Sequence, residues 1–474
     1  MDHEASQPEN STIYKMAAWT LFTDESYVTD LALRQAELIT LDSIGCAFAS
    51  HDAGSPRRVA ELVEEMGGKP SCTAIGYDFR TSVLNATLLN CALVRSLDFN
   101  DVQFIMKEGK LHVGGHCSDN LAAALAVGEM LGSSGREVLT AIIMGYELFR
   151  RLRNLMPYSS VWDVTSASGM VTAAMTGRLL KLDAARQSNA LALAGARCAT
   201  PAIVRYGELS GAKNMVGAFT AQQGVQAALL AAKGMTGPQQ ILDHKWGLQS
   251  VFDPSRGLND LWRAVDEPLF IMTSHVKTFA CIGTAQSEVV AALDAHAKLG
   301  GRTDHIEAID VTMADLPIIR KQQAEVHRLT PSTRETADHS FTFLPAVVLI
   351  DGELTPKQFA NERWNEPAAK ALTAKVRLSV SEELAALAPG SMPCRLKIHL
   401  TGGETLETEC LFPPGHSFAD RGLNQAPVVD KFVSITDEFM EGGDQTRLVD
   451  ALLSLREQKS VTPIMGMLPA RTRS

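Results

Sequence analysis

With 474 residues, 45% of them hydrophobic and 21% charged, the chain has the composition of a folded protein with room for more than one core, which excludes general disorder. Its 44 basic and 54 acidic side chains give a formal charge of −10 without a basic tract, so nucleic acid is not an expected partner. The opening residues (Asp2, Glu4, Glu9) lack a signal-peptide pattern, and the longest apolar runs, at 121–127 and 227–232, are too short for a membrane span; a cytoplasmic protein is expected.

Residues 1–12 are polar. From 26 to 234 the periodicity is helical, and segments 26–50, 84–97, 119–132, 135–155, 166–182, 184–199 and 213–233 each fit an ordinary helix. Gly169, Ala173 and Gly177 recur every fourth residue, and Gly217, Ala221 and Gly224 lie on neighbouring turns. Small residues so spaced predict central helices that approach closely. Past about residue 275 the texture changes. Ile309, Val311 and Met313, then Val376, Leu378 and Val380, alternate with polar residues as strands do. Leu396, Ile398 and Leu400, a Thr401-Gly402-Gly403 turn, and Leu406, Thr408 and Cys410 predict a hairpin over 395–411. Helical patterns at 284–298 and 338–351 lie among these strands, Pro413-Pro414-Gly415 closes the region, and helices return at 427–441 and 444–456. The eight cysteines are scattered with no CxxC pair, which speaks against zinc or iron–sulfur ligation and for buried, reduced thiols.

Four stretches carry chemistry. Leu97-Asp98-Phe99-Asn100-Asp101 ends one apolar segment, and a glycine-broken loop (Gly109, Gly114, Gly115) then delivers His116 to the start of a helix. That layout predicts a carboxylate–imidazole couple between Asp98 and His116. His112 and His116 are four apart, but Gly114 and Gly115 argue against a helix there, so no metal is expected. Next, Arg205 to Lys213 forms a glycine-containing turn that brings Ser210 and Lys213 to a helix N-terminus, a setting suited to an anion. Lys277 sits where the helical pattern gives way to strands, and Arg334-Glu335-Thr336-Ala337-Asp338-His339-Ser340 opens an apolar helix with Thr336 or Asp338 as its cap. Several cations, two acids and a histidine suit proton removal beside a carboxylate, since fixed positive charge stabilises the enolate-like species that results. No Gly-x-Gly-x-x-Gly, P-loop or Gly-x-Ser-x-Gly supports a nucleotide or serine-hydrolase reading.

In this order the motifs resemble the MmgE/PrpD family, which includes 2-methylcitrate dehydratase, cis-aconitate decarboxylase and iminodisuccinate epimerase. The likeness runs from Leu41-Asp42-Ser43-Ile44-Gly45 to Lys431-Phe432, and Gly207-Glu208-Leu209-Ser210 and Gly234-Met235-Thr236-Gly237-Pro238 share in it. It implies a mainly α protein: a large all-helical domain built from both chain ends (1–274 and 413–474) with an inserted α+β lid (275–412). It also implies a homodimer that works without iron–sulfur cluster or organic cofactor. By motif, the family's catalytic acid falls on Asp98, its histidine on His116, and its lysines on Lys213 and Lys277; Arg205, Ser210, His339 and Asp163 are candidates for substrate binding. Members usually carry Trp-Asp-His where this chain has Trp162-Asp163-Val164, so one proton-transfer group is replaced. The expected activity is that of a lyase on a small di- or tricarboxylate, resembling 2-methylcitrate dehydratase. Decarboxylation or epimerisation of a related acid, and carboxylate binding without catalysis, are the alternatives.

Overall fold

A computed structural model describes residues 8–22, 27–107, 110–156, 161–263, 269–387, 391–415 and 424–471; for 8, 22, 105–107 and 110–113 it describes the backbone alone. Residues 1–7 (with Asp2 and Glu4), residue 26, Gly109 and the His112 side chain therefore lie outside the described residues.

The architecture is mainly α with small sheets. The expected helices appear at Asp30–Ala49, Val83–Arg95, Leu121–Leu131, Gly135–Asn154, Ser168–Leu179, Ala184–Gly195 and Ala212–Ala232. Their starts are set by side chains that accept from free backbone N–H groups: Thr29, Ser82 and Asp183 each cap a helix, and Ser134 with Glu137 makes a full capping box. The small-residue stripe does what its spacing predicts. A Cβ on Gly224 would lie 2.0 Å from Thr172 Oγ1 and 2.2 Å from the Gly169 carbonyl oxygen, so Ser168–Leu179 and Ala212–Ala232 approach backbone to backbone. Amphipathic Gly54–Met66, and Thr12–Phe22, are helices that the periodicity reading passed over.

The predicted strands form a four-stranded sheet in the order Val376–Ser381, Ile306–Ala314, Cys394–Leu400, Thr405–Cys410; the first pair is parallel and the others antiparallel. Ile309, Val311 and Met313 alternate into the core as read from sequence. The segment expected to be a glycine-broken loop is instead an antiparallel hairpin, Val102–Lys107 with Lys110–Gly115, extended by a third strand, Ser274–His275. Gly115 has φ of 143°, and a Cβ there would lie 2.6 Å from the Phe149 ring, so the glycine serves close packing beneath a strand.

Buried apolar side chains gather in two large clusters. One draws on 13–276 and on the C-terminal helices through Val428, Phe432 and Leu448. The other draws on 280–410 and takes in Cys46, Leu97 and Phe99 from the N-terminal part. All eight cysteines are buried free thiols, and no helix among the described residues is long and apolar enough to cross a membrane.

Candidate active site

A short turn joins helix Val83–Arg95 to the hairpin and carries Asp98 at φ of 51°, a left-handed conformation that costs a non-glycine residue roughly 1–2 kcal/mol. The surroundings hold it there. Leu97 and Phe99, on either side, are buried in the second core, and Lys277 Nζ donates to the Asp98 carbonyl oxygen at 2.5 Å. Lys277 arrives through strand register: Val102 pairs with His275 and Gln103 with Ser274, so the antiparallel run continues Lys277 onto the 98–100 turn.

The Asp98 carboxylate is the hub of the site. Oδ1 accepts from Arg95 Nη1 at 2.9 Å and from Lys277 Nζ, while Oδ2 accepts from Lys213 Nζ at 3.1 Å and lies 3.0 Å from His339 Nε2. Burial pushes this carboxyl upward, but Arg95, Lys213 and Lys277 together hold it well below the usual carboxylate range. It is a permanent anion that gathers cations.

His116 is therefore not oriented by Asp98, contrary to the sequence expectation. Its Nε2 is 4.0 Å from Asp98 Oδ1, beyond a hydrogen bond, whereas Nδ1 lies 2.7 Å from the Asp101 carbonyl oxygen. Three cations already occupy Asp98, and the hairpin turns the imidazole toward the backbone instead. A carbonyl only accepts, so Nδ1 carries the proton. Burial, reinforced by Arg95 and Lys277, holds His116 well below its ordinary value, which leaves a neutral ring with its lone pair on Nε2. Asp101 secures that backbone through its carboxylate, which accepts from Ser118 Oγ at 2.5 Å, Gln103 Nε2 at 2.5 Å and Tyr146 OH at 3.0 Å.

Lys213, second residue of Ala212–Ala232, and His339 complete the inner wall. His339 Nδ1 is hydrogen-bonded to Asp338, itself held by Arg334 Nη1 at 3.0 Å, and Nε2 lies 3.1 Å from Lys213 Nζ. Burial and Lys213 depress His339 against the pull of Asp338 and Asp98, so its Nε2 accepts from the lysine. Burial pushes the Lys213 ammonium down to about 8, although Asp98 and Asp338 oppose it. Capping of Arg334–Ala337 falls to Thr333 with Thr336, leaving Asp338 for the histidine.

These groups open onto a cavity of about 570 Å³ lined by side chains of both clusters. Asp163 reaches its wall as the partner of Arg205, whose Nε donates to Asp163 Oδ2 at 2.8 Å and whose Nη2 donates to Oδ1 at 3.3 Å. A carboxylate so placed positions the arginine and does not itself receive an anionic ligand. Ser210 corrects another expectation: it is exposed and outside the cavity lining, and only its carbonyl serves the site, accepting from the Lys213 backbone N–H at 3.0 Å. Gly207, at φ of 70°, turns this segment along the surface before the helix begins. Val164 stands in the lining.

Sequence reasoning assigned no role to Arg95. Its signal was a lone arginine in an apolar helix three residues before an acid, and the side chain is 1% exposed. Among the described residues, one group of three ligand-type side chains (Asp98, Asp338, His339) is close enough to share an ion. Arg95, Lys213 and Lys277 already neutralise Asp98, so this donor set does not suit a further divalent cation.

The chain matches the family models of the MmgE/PrpD N-terminal domain over residues 15–260 and the MmgE/PrpD C-terminal domain over 279–457. It is 21% identical to the cis-aconitate decarboxylase-like protein oryM of Aspergillus oryzae, over 98% of either chain. Mouse cis-aconitate decarboxylase is 26% identical over 74% of this chain and 72% of its own. The mitochondrial 2-methylcitrate dehydratase of Yarrowia lipolytica is 24% identical over 87% of this chain and 82% of its own. With both family models matched in order across the helices and the sheet that build this site, the chain belongs to the MmgE/PrpD family.

Proposed function

We propose that this chain is a lyase acting on a small di- or tricarboxylate, dehydrating a substrate of the 2-methylcitrate kind. The observation that carries the reading is His116: a neutral imidazole with its proton fixed on Nδ1 and its lone pair at a cavity walled by cations. His116 Nε2 takes the proton beside a carboxylate, the electron pair of that C–H bond forms the new double bond, and the hydroxyl leaves as water with a proton from the Lys213 ammonium. Arg95 and Lys213, lined up by Asp98, stabilise the charge that develops on the carboxylate, and Lys277 locks the Asp98 turn.

A second reading is supported by the relatives named as cis-aconitate decarboxylases. There the bond to a carboxylate breaks, carbon dioxide leaves, and the electron pair left on carbon takes a proton from the Lys213 ammonium. Incubation with 2-methylcitrate, citrate and cis-aconitate, followed by NMR, separates the two: loss of water supports the first, loss of carbon dioxide the second. Unchanged acids overturn both, and loss of water retained by His116→Ala overturns the first.

Three further parts of the proposal rest on the resemblance and the sequence. The division into a body (1–274 and 413–474) and a lid (275–412) is supported by the two apolar clusters. A homodimer is checked by sedimentation. A cytoplasmic location is checked by fractionation, with the mitochondrial relative marking the other outcome.

A further inference from the structure

The cavity has a cation that the chemistry above does not use. Arg328 lies in the short helix Val326–Leu329, is 8% exposed, and lines the cavity from the α+β side. Its Nε donates to Glu325 Oε2 at 2.5 Å, but Nη1 is buried without any hydrogen-bond partner. A buried guanidinium nitrogen left unpaired is costly, and at a cavity wall it is a donor available to a ligand. Arginine offers carboxylates two parallel N–H donors, and Glu325 engages only Nε. Arg328 also shares no partner with Lys213, whose neighbours are Asp98 and His339.

The charge of the lining points the same way. Six cationic side chains face three acidic ones, and each acid is already matched: Asp98 by Arg95 and Lys213, Asp163 by Arg205, Glu325 by Arg328. The surplus positive charge is distributed around a volume of about 570 Å³, ample for a six- or seven-carbon acid. The geometry points to Arg328 as the receptor of a second substrate carboxylate, separate from the one met at Lys213, and hence as the residue that selects tricarboxylates over shorter acids. This rests on the carboxylate chemistry proposed above and deepens it.

Two unreactive acids test it by calorimetry: propane-1,2,3-tricarboxylate, and 2-methylsuccinate, which has a methyl group in place of one carboxymethyl arm. The wild type is expected to bind the tricarboxylate about tenfold or more tightly than the dicarboxylate, as one charge-assisted pair implies. Arg328→Met is expected to lose that preference by weakening the tricarboxylate alone, and Arg328→Lys to recover part of it. Equal weakening of both acids, or no change for either, overturns the role of Arg328 while leaving the carboxylate reading intact. If the wild type binds both acids equally, the comparison overturns the role without any variant having to fold. Failure of the wild type to bind either acid overturns the carboxylate reading, and Arg328 with it.

Discussion

Burial brings the titration of Lys213 toward neutral pH, and its protonation state can be read from kinetics. Its ammonium is enclosed, and burial lowers it to about 8 despite Asp98 at 3.1 Å. As a charge stabiliser and acid it must be protonated in the free enzyme. A group titrating near 8 is roughly nine-tenths protonated at pH 7 and one-tenth at pH 9, so kcat/KM is expected to fall about tenfold over that interval. The acid limb of the profile is expected to lie below the ordinary histidine range, because burial and the neighbouring cations hold His116 well below its ordinary value. Lys213→Arg keeps a cation that does not titrate; whatever its absolute rate, its alkaline limb should disappear. The assay is kcat/KM from pH 5.5 to 9.5 on whichever acid the enzyme consumes. A rate that rises through pH 8 would mean that neutral Lys213 is the base, and an unchanged limb in Lys213→Arg would assign the titration elsewhere; either result refutes the reasoning.

Other expectations concern stability as well as rate. Asp98→Asn strips the counter-charge from buried Arg95, Lys213 and Lys277, and is expected to cost roughly 3–5 kcal/mol together with turnover. Scanning calorimetry should separate it from His116→Asn, which is expected to lose turnover but melt near the wild type. Glu288 is fully buried with neither carboxyl oxygen hydrogen-bonded, and burial raises it well above 4.5. The fold thus keeps a proton that the unfolded chain releases, and stability falls above the ordinary glutamate value by up to about 1.4 kcal/mol per pH unit. Glu288→Gln is expected to melt above the wild type at pH 8 and with it near pH 4; an equal offset at both would contradict the assignment. Gly115→Ala, which drives a methyl into the Phe149 ring and must hold φ of 143°, is expected to lose about 1–3 kcal/mol by thermal denaturation and to lower kcat through His116.

Strands Ile306–Ala314 and Cys394–Leu400 were legible because each turns alternate residues into the core, and burial imposes its period on the sequence; the N-terminal helices, several of them buried all round, were legible from their length between breaks and from the spacing of small residues. The hairpin at 102–115 was not. Gly114 and Gly115 read as breakers, whereas Gly115 is required by an aromatic ring brought from helix Gly135–Asn154, a tertiary fact without local trace. Its third strand comes from 274–275, a pairing whose distance along the chain hides it from any window. The site shows the same division. Motif order pointed to Asp98, His116, Lys213, Lys277 and His339, and all five converge. Which group each one faces depended on geometry: Asp98 faces cations, His116 a carbonyl, Asp163 an arginine, and Ser210 the solvent.

The burial of Leu97 and Phe99 in the core drawn mostly from 280–410 bears on how chimeras of this family should be cut. A graft that imports residues 275–412 from a relative would bring its own lysine and histidine, yet leave the socket for the Asp98 turn shaped for foreign side chains. The packing implies a discontinuous exchangeable module: residues 275–412 together with the few residues around 97–99 that pack against them. Swaps made along the linear boundary are expected to fold around a displaced Asp98, and including that turn in the transplant restores the fit.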